Sequence, residues 1–423
     1  MLRSALFIAV QPPPTNRVMG IQYSLVLRHL PPSHWRIHFL GPDPLRNSVL
    51  PPMDGIPKGC LHFSEYVPLA RRASVERNRH GGVTWAYWTV IRTLFLALER
   101  MGLERIGLGR ILDRTRDDLL RCALQLTSKV SFDVIVGAIP DLVYAEVASE
   151  IATRRDLPLI LNYRDPVGQR TVEGFTPTAV ELQRRLIAEA RGIVFASPLT
   201  MSRYQDAFDM RGKVVRFISC SFEDVPLDWV VENGEDPNEI RILHTGDLGP
   251  WRPVDTLVDA IGIWNNRQQV RAVLQCIGFV TNKARRHALR VLGAHNAVRF
   301  DRPLPYTLAR REAQRADILL VVIGPRHADN VPAKFVEYLA FRKPLLVVGP
   351  RNGVVKELLA PLGIGVYCDI SSPQSISAGI EYIVCHRSEL VRAFSENWRQ
   401  IDSYHARSVA RQWITALDEV AFS

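Results

Sequence analysis

The chain has 423 residues, long enough for two domains of ordinary size, each with its own core. Hydrophobic residues make up 47% of it and no long low-complexity tract interrupts it, which excludes a disordered or fibrous protein. Its net charge of +10 points to anionic partners: nucleotides, nucleic acid or an anionic membrane surface.

In chain order, the opening MLRSALFIAVQPPP has too short an apolar run for a secretory leader and ends in prolines, so it reads as a first strand over 5–10. A proline-stiffened loop follows, PPPTNRVMG, carrying Arg17 and one glycine, Gly20. The pattern then predicts a helix over 21–30, with Leu25, Val26 and Leu30 toward the core, and a strand over 35–40. Residues 41–84 are irregular and rich in proline and basic side chains; Arg71, Arg72, Arg77, Arg79 and His80 precede Gly81-Gly82. The next stretch holds Trp85, Trp88, Ile91, Arg92, Phe95 and Leu98 at mixed helical spacing. It fits a helix packed on a sheet, and it also fits a helix lying at a membrane surface. A charged helix is expected over 112–128, then a strand from 133, a helix to 153 and a strand from 157. That strand closes on Tyr163-Arg164-Asp165-Pro166. A helix over 178–190, a strand at GIVFASP, a helix opened by Ser197-Pro198 and a strand at VVRFISC complete the first series.

Residues 223–239 are acidic, aperiodic and broken by prolines, as in a linker. A second α/β series runs from 240: strands over 240–246, 270–278 and 297–304, with helices over 253–264, 283–292 and 305–316. Its first turn, HTGDLGPWRP, holds Gly246, where the lack of Cβ allows close backbone approach, and Arg252, whose fork fits a phosphate. Asp247 beside a diphosphate would be repulsive and is expected to point elsewhere. An apolar strand over 318–323 leads through a polar loop to a helix beginning at Val331 and Pro332 and stopping near Arg342. Free amides and the helix dipole at Asn330 to Ala333 attract a diphosphate. Lys334 adds a cation one turn in, and Glu337 can accept from a ribose diol. Asp329 stands at the loop tip, with seven residues between it and Glu337. A strand over 344–348, a helix near Lys356, a strand over 363–369, a helix over 375–385 and a tail of one or two helices over 393–422 follow.

Pro332, Lys334, Glu337, Tyr338, Leu339, Ala340, Lys343 and Pro344 resemble the donor motif of retaining GT-B glycosyltransferases, in particular glycosyltransferase family 4. Asp329 stands where that family has a glutamate. The turn at Gly246 resembles a form in bacterial polysaccharide enzymes, with Arg252 at the position of a phosphate-binding lysine and Asp247 replacing an arginine. The strand ending in Arg164-Asp165-Pro166 resembles the family's cleft-lining segment.

The resemblance implies an α/β, GT-B fold: two doubly wound Rossmann-like domains facing across a cleft, with a C-terminal helix crossing back to the first. The expected layout is an acceptor-side domain at 1–222, a linker at 223–239, a donor domain at 240–392 and C-terminal helices at 393–423. It further implies transfer from a nucleotide-diphosphate sugar to a saccharide or lipid-linked saccharide, with retention, in polysaccharide or glycoconjugate synthesis. Catalytic roles fall to Asp329, Arg252 and Lys334. Gly246, Arg252, Asn330, Val331, Pro332, Lys334 and Glu337 bind the donor. Arg17, Arg164 and Asp165 line the acceptor side, although Arg17 also fits a plain surface loop and Arg164 with Asp165 a structural pair. No metal or cofactor is expected; the nucleotide sugar is a co-substrate.

The six cysteines, Cys60, Cys122, Cys220, Cys276, Cys368 and Cys385, show neither CxxC pairing nor zinc spacing and read as reduced thiols of a cytoplasmic protein. No apolar run approaches the roughly 20 residues of a membrane span, so any membrane contact is expected at the inner face. Two other readings fit parts of the pattern. One is a sugar-nucleotide 2-epimerase, which shares fold and donor site; the other is a basic, non-catalytic anion or nucleic-acid binder, for which no nucleic-acid motif is found.

Overall fold

The computed structural model describes residues 2–10, 13, 18–31, 33–42, 60–64, 115–139, 141–167, 177–226, 236, 238–249, 252, 254–293 and 296–422. Arg17, the basic run from Arg71 to His80, the aromatic stretch from Trp85 to Leu98 and most of the expected linker lie outside these residues.

Two parallel sheets organise the chain. The first has the order β3-β2-β1-β4-β5-β6-β7. Its strands are β1 (Arg3–Ile8), β2 (Trp35–Pro42), β3 (Leu61–Ser64), β4 (Val134–Ile139), β5 (Leu159–Tyr163), β6 (Gly192–Phe195) and β7 (Val214–Phe217). The second has the order β10-β9-β8-β11-β12-β13. It comprises β8 (Glu239–Thr245), β9 (Arg271–Ile277), β10 (Val298–Asp301), β11 (Ile318–Val322), β12 (Leu345–Gly349) and β13 (Gly365–Asp369). Strands β4, β5, β11 and β12 are buried along their whole length, because parallel strands covered by helices on both faces need apolar side chains on both. In each sheet the strand order reverses between the first and fourth strands, and that switch is where open α/β sheets bind ligands.

Among the described residues the helices are α1 (Val18–Leu27), α2 (Thr115–Thr127), α3 (Leu142–Arg155), α4 (Pro177–Glu189), α5 (Pro198–Ala207), α6 (Asp255–Asn265), α7 (Asn282–Leu292), α8 (Tyr306–Arg315), α9 (Ala333–Tyr338), α10 (Val354–Leu359), α11 (Pro373–Cys385), α12 (Arg387–Glu396), α13 (Trp398–Asp402) and α14 (Ala406–Phe422). One face of the first sheet is covered by α2, α3 and α4, around Leu6, Ile135, Leu161 and Tyr144. The other face is covered by α1 and, from the far end of the chain, α14. Val409, Trp413, Leu417 and Val420 of α14 share a core with Phe7, Val136, Ile160 and Val194. The Trp413 ring meets Phe7 edge-on at 5.4 Å. Asp418 accepts from Arg3 at 2.6 Å and from the Trp35 indole at 2.9 Å. Gly192 makes room for this helix, since a Cβ there would lie 2.5 Å from Val420 Cγ2. The expected crossing of the C-terminal helix is therefore present.

The outgoing and returning segments run side by side between the halves. Phe222 donates its N–H to the Tyr404 carbonyl at 3.1 Å, and Ala406 donates to the Phe222 carbonyl at 2.8 Å. Arg310 of α8 donates to the carbonyls of Glu223 and Asp224 at 2.8 and 3.2 Å.

Three expectations need correction. The stretch from 41 read as irregular contains the end of β2 and the four residues of β3, whose Leu61 to Ser64 pair with Phe39 to Pro42. The tail holds three helices after α11, because Asn397 and the residues around Ser403 each end a helical run. The helix expected to reach Arg342 is α9 followed by a 3-10 turn, Leu339–Phe341, stopped by Arg342 at φ 52°. No helix among the described residues is long and apolar enough to cross a membrane.

Candidate active site

The site forms at the β8/β11 switch of the second sheet. Strand β8 ends at Thr245, and Gly246 turns the chain away at φ +126°. The neighbouring strand also ends in a glycine, Gly278, at φ +151°; a Cβ there would stand 2.1 Å from the Gly246 carbonyl oxygen. The two glycines thus let adjacent strand ends lie against each other, and this bare-backbone turn is the cradle of the candidate site. The Gly246 N–H is bonded to the Ile277 carbonyl at 2.8 Å and the Gly278 N–H to the Asp301 carbonyl at 3.2 Å. Arg252 returns to the cradle through a tight turn, its N–H bonded to the Gly249 carbonyl at 2.9 Å and its guanidinium 3.3 Å from the Asp247 carbonyl. The Asp247 carboxylate points away, accepting from the Phe279 N–H at 3.2 Å.

Helix α9 is pinned beneath the same strand end. The Tyr338 hydroxyl takes the Thr245 N–H at 3.0 Å and lies 3.0 Å from the Thr245 hydroxyl. One turn earlier Lys334 Nζ donates to Glu337 Oε2 at 2.8 Å. Desolvation pulls the lysine pKa down, but the Glu337 carboxylate, followed by Tyr338, outweighs it and leaves the pKa above its ordinary value. Arg252 is shifted down by burial, against the pull of Asp247 and Asp165.

His244, one residue inside β8, is only 3% exposed. Its Nδ1 lies 3.0 Å from the Leu320 carbonyl, so that nitrogen carries the hydrogen. Its Nε2 has no partner among the described residues and lies 3.6 Å from where a Cβ on Gly246 would stand. Burial pushes the ring pKa down to about 4; the Leu320 carbonyl opposes the shift, while Arg252 and Lys334 reinforce it.

The first half meets this arrangement at the end of β5. Asn330 donates to Asp165 Oδ1 at 2.8 Å. Desolvation raises the Asp165 pKa, and Arg164, His327 and Arg252 act in opposition. His327 is shifted down by burial and then by Arg252. Arg164 turns toward Cys220, donating to its sulfur at 2.9 Å. The carboxylate of Asp329 pairs with Arg203 of α5, while its carbonyl accepts from the Ser197 hydroxyl.

The sequence-derived residues are therefore partly gathered. Gly246, Arg252, Lys334 and Glu337 surround one strand end, with Asn330 and Asp165 beside them. Val331 is only 9% exposed and packs into the core, and Pro332 precedes α9 in extended conformation. Asp329 is engaged across the halves rather than open to the cradle. Sequence reasoning missed His244, His327, Gly278 and Arg203. A polar ring closing an otherwise apolar strand was the available signal for His244. Among the described residues no three His, Cys, Asp or Glu side chains gather as a metal site.

No family model matches the sequence, and no curated protein does. Solved structures do match along the whole chain, and with the two sheets they define the fold as GT-B, two Rossmann-like domains. Sucrose-phosphate synthase from Thermosynechococcus elongatus is 13% identical, with a TM-score of 0.70 over all of both chains. HepE of Anabaena, solved with UDP-glucose, is 13% identical, with a TM-score of 0.65 over 98% of this chain and 99% of its own. A glycosyltransferase from Rickettsia africae is 11% identical, with a TM-score of 0.62 over 99% of this chain and 98% of its own.

Proposed function

We propose that the chain is a glycosyltransferase that transfers a sugar from a nucleotide-diphosphate donor to a saccharide or lipid-linked saccharide, with retention, in polysaccharide or glycoconjugate synthesis. The observation that carries this reading is the glycine-lined end of β8, flanked by Arg252 and by the Lys334–Glu337 pair, at the sheet's switch point. The UDP-glucose complex of HepE, a protein of the same fold, supports it.

In this reading the cradle takes the diphosphate. Arg252 and Lys334 stabilise its charge as the bond between sugar carbon and phosphate oxygen breaks, and such fixed cations act most strongly where water is excluded. Glu337 accepts from the ribose diol. The acceptor hydroxyl approaches from the side of Arg164 and Asp165, bonds to the sugar carbon, and passes its proton to the departing phosphate oxygen. No metal takes part.

A thermal-shift screen over UDP, GDP, ADP, CMP and dTDP tests donor binding, since a bound ligand adds stability with the logarithm of its saturation. Failure of all five to raise the melting temperature overturns the reading. Conversion of the matching nucleotide sugar to its 2-epimer without acceptor would make the chain an epimerase. Loss of transfer on chelation would overturn the metal-free part.

A further inference from the structure

Three side chains on one face of α5 converge on a single residue of the other half. Ser197, Thr200 and Arg203 are spaced by three, so they line up along the helix. The Ser197 hydroxyl caps α5, accepting the Thr200 N–H at 3.4 Å, and also donates to the Asp329 carbonyl. The Thr200 hydroxyl reaches the same carbonyl at 3.5 Å. Arg203 pairs with the Asp329 carboxylate, whose side chain is 11% exposed. The loop is anchored on either side of this point: the Ala328 carbonyl accepts from the Val354 N–H at 2.8 Å, and Asn330 bonds Asp165 at 2.8 Å. Helix α9, carrying Lys334 and Glu337, begins only four residues after Asp329.

We infer that Asp329 is a positioning residue through which α5 of the first half holds the loop between β11 and α9, and so sets Lys334 and Glu337 for the nucleotide. This rests on the donor-site reading above. The Oδ2 of Asp329 is held by the Arg203 guanidinium, and that charge-assisted bond fixes where the carboxylate, and with it the loop, can lie. Among the described residues the side-chain bonds of 197, 200 and 203 to the second half all go to Asp329, so they act on where the loop leading to the cradle lies. The halves are thereby coupled: the donor site reaches its working geometry when α5 engages Asp329.

The test compares Arg203→Gln, Asp329→Asn and the double variant by calorimetry with UDP, or with the first of GDP, ADP and dTDP that binds, and with the corresponding nucleotide-glucose. The Arg203 side chain is 57% exposed, so its replacement leaves the core intact. Each single variant is expected to weaken both ligands by a similar factor, roughly tenfold on the scale of one charge-assisted bond. The double variant is expected to be no worse than the poorer single, and Arg203→Lys to retain most of the affinity. In turnover, KM for donor rises while kcat at saturation holds. Loss confined to the nucleotide-glucose in Asp329→Asn, with Arg203→Gln unaffected, would overturn the inference and put Asp329 on the sugar. Additive losses would also overturn it. If no diphosphate binds the unaltered chain, the donor-site reading itself falls, an outcome separate from both.

Discussion

His244 makes the acid stability of the second half calculable. Its ring is buried at the end of β8 with a pKa of about 4, against 6.5 ordinarily. A base with a depressed folded pKa is protonated first in the unfolded chain. Below pH 6.5 the unfolded state takes a proton that the folded state refuses until about pH 4, so stability falls as pH drops through that window. At about 1.4 kcal/mol per unit, the full loss is about 3 kcal/mol, of which about 2 kcal/mol is reached between pH 7.5 and 5. His244→Gln keeps an amide able to donate to the Leu320 carbonyl and removes the titration. Urea unfolding of both proteins at pH 7.5, 6 and 5 isolates the effect, because His38, also pushed down to about 4, titrates in both. The unaltered chain should lose about 2 kcal/mol more than the variant across this range. Parallel loss in the two proteins would refute the reasoning, because the ring would then titrate alike folded and unfolded.

Glu337→Ala removes the acceptor assigned to the ribose diol and the partner of Lys334. Donor affinity should fall tenfold to a hundredfold, on the order of a hydrogen bond to a charged group, and unchanged affinity by calorimetry would sink the assignment. Replacing Arg252 and Lys334 by Ala should weaken a nucleoside diphosphate far more than the nucleoside, and equal losses would show that neither cation meets phosphate. Gly278→Ala would drive a methyl into the Gly246 carbonyl; the expected result is a clearly lower melting temperature and loss of diphosphate binding, and unaltered binding would count against the cradle. If the run Arg71 to His80 meets a membrane, the chain should float with anionic vesicles at low salt and be released at high salt, since screening shortens the Debye length to about 3 Å at 1 M.

Much of the fold was legible because parallel strands buried on both faces write themselves as continuous apolar runs. ILLVV of β11 and VIVGAI of β4 are examples. Strand β3 was not, since four residues within a proline-rich stretch carry no period. The α11 and α12 helices meet at His386 without a glycine or proline to mark the join. In the site, Lys334 and Glu337 were legible because helical spacing fixes their contact. Asp329 was legible as an acid at the right distance from Glu337, but its partner Arg203 lies 126 positions away, and only the assembled halves bring them together. Gly278 read as the end of a strand; its need for a bare backbone comes from Gly246 beside it, which no local pattern reveals.

The docking of α14 has a consequence for how the protein is made. During synthesis the first sheet emerges early, but the helix that shields Phe7, Val136 and Ile160 is translated only after the whole second half. Domains ordinarily fold in the order in which they leave the ribosome. Here the earliest portion is completed last, and the part of the apolar sheet face that α14 covers stays open while some two hundred further residues are added. Ribosome-bound chains stalled before residue 406 should therefore recruit chaperones through that face, and a version rewired so that 406–422 precede β1 should shed that dependence.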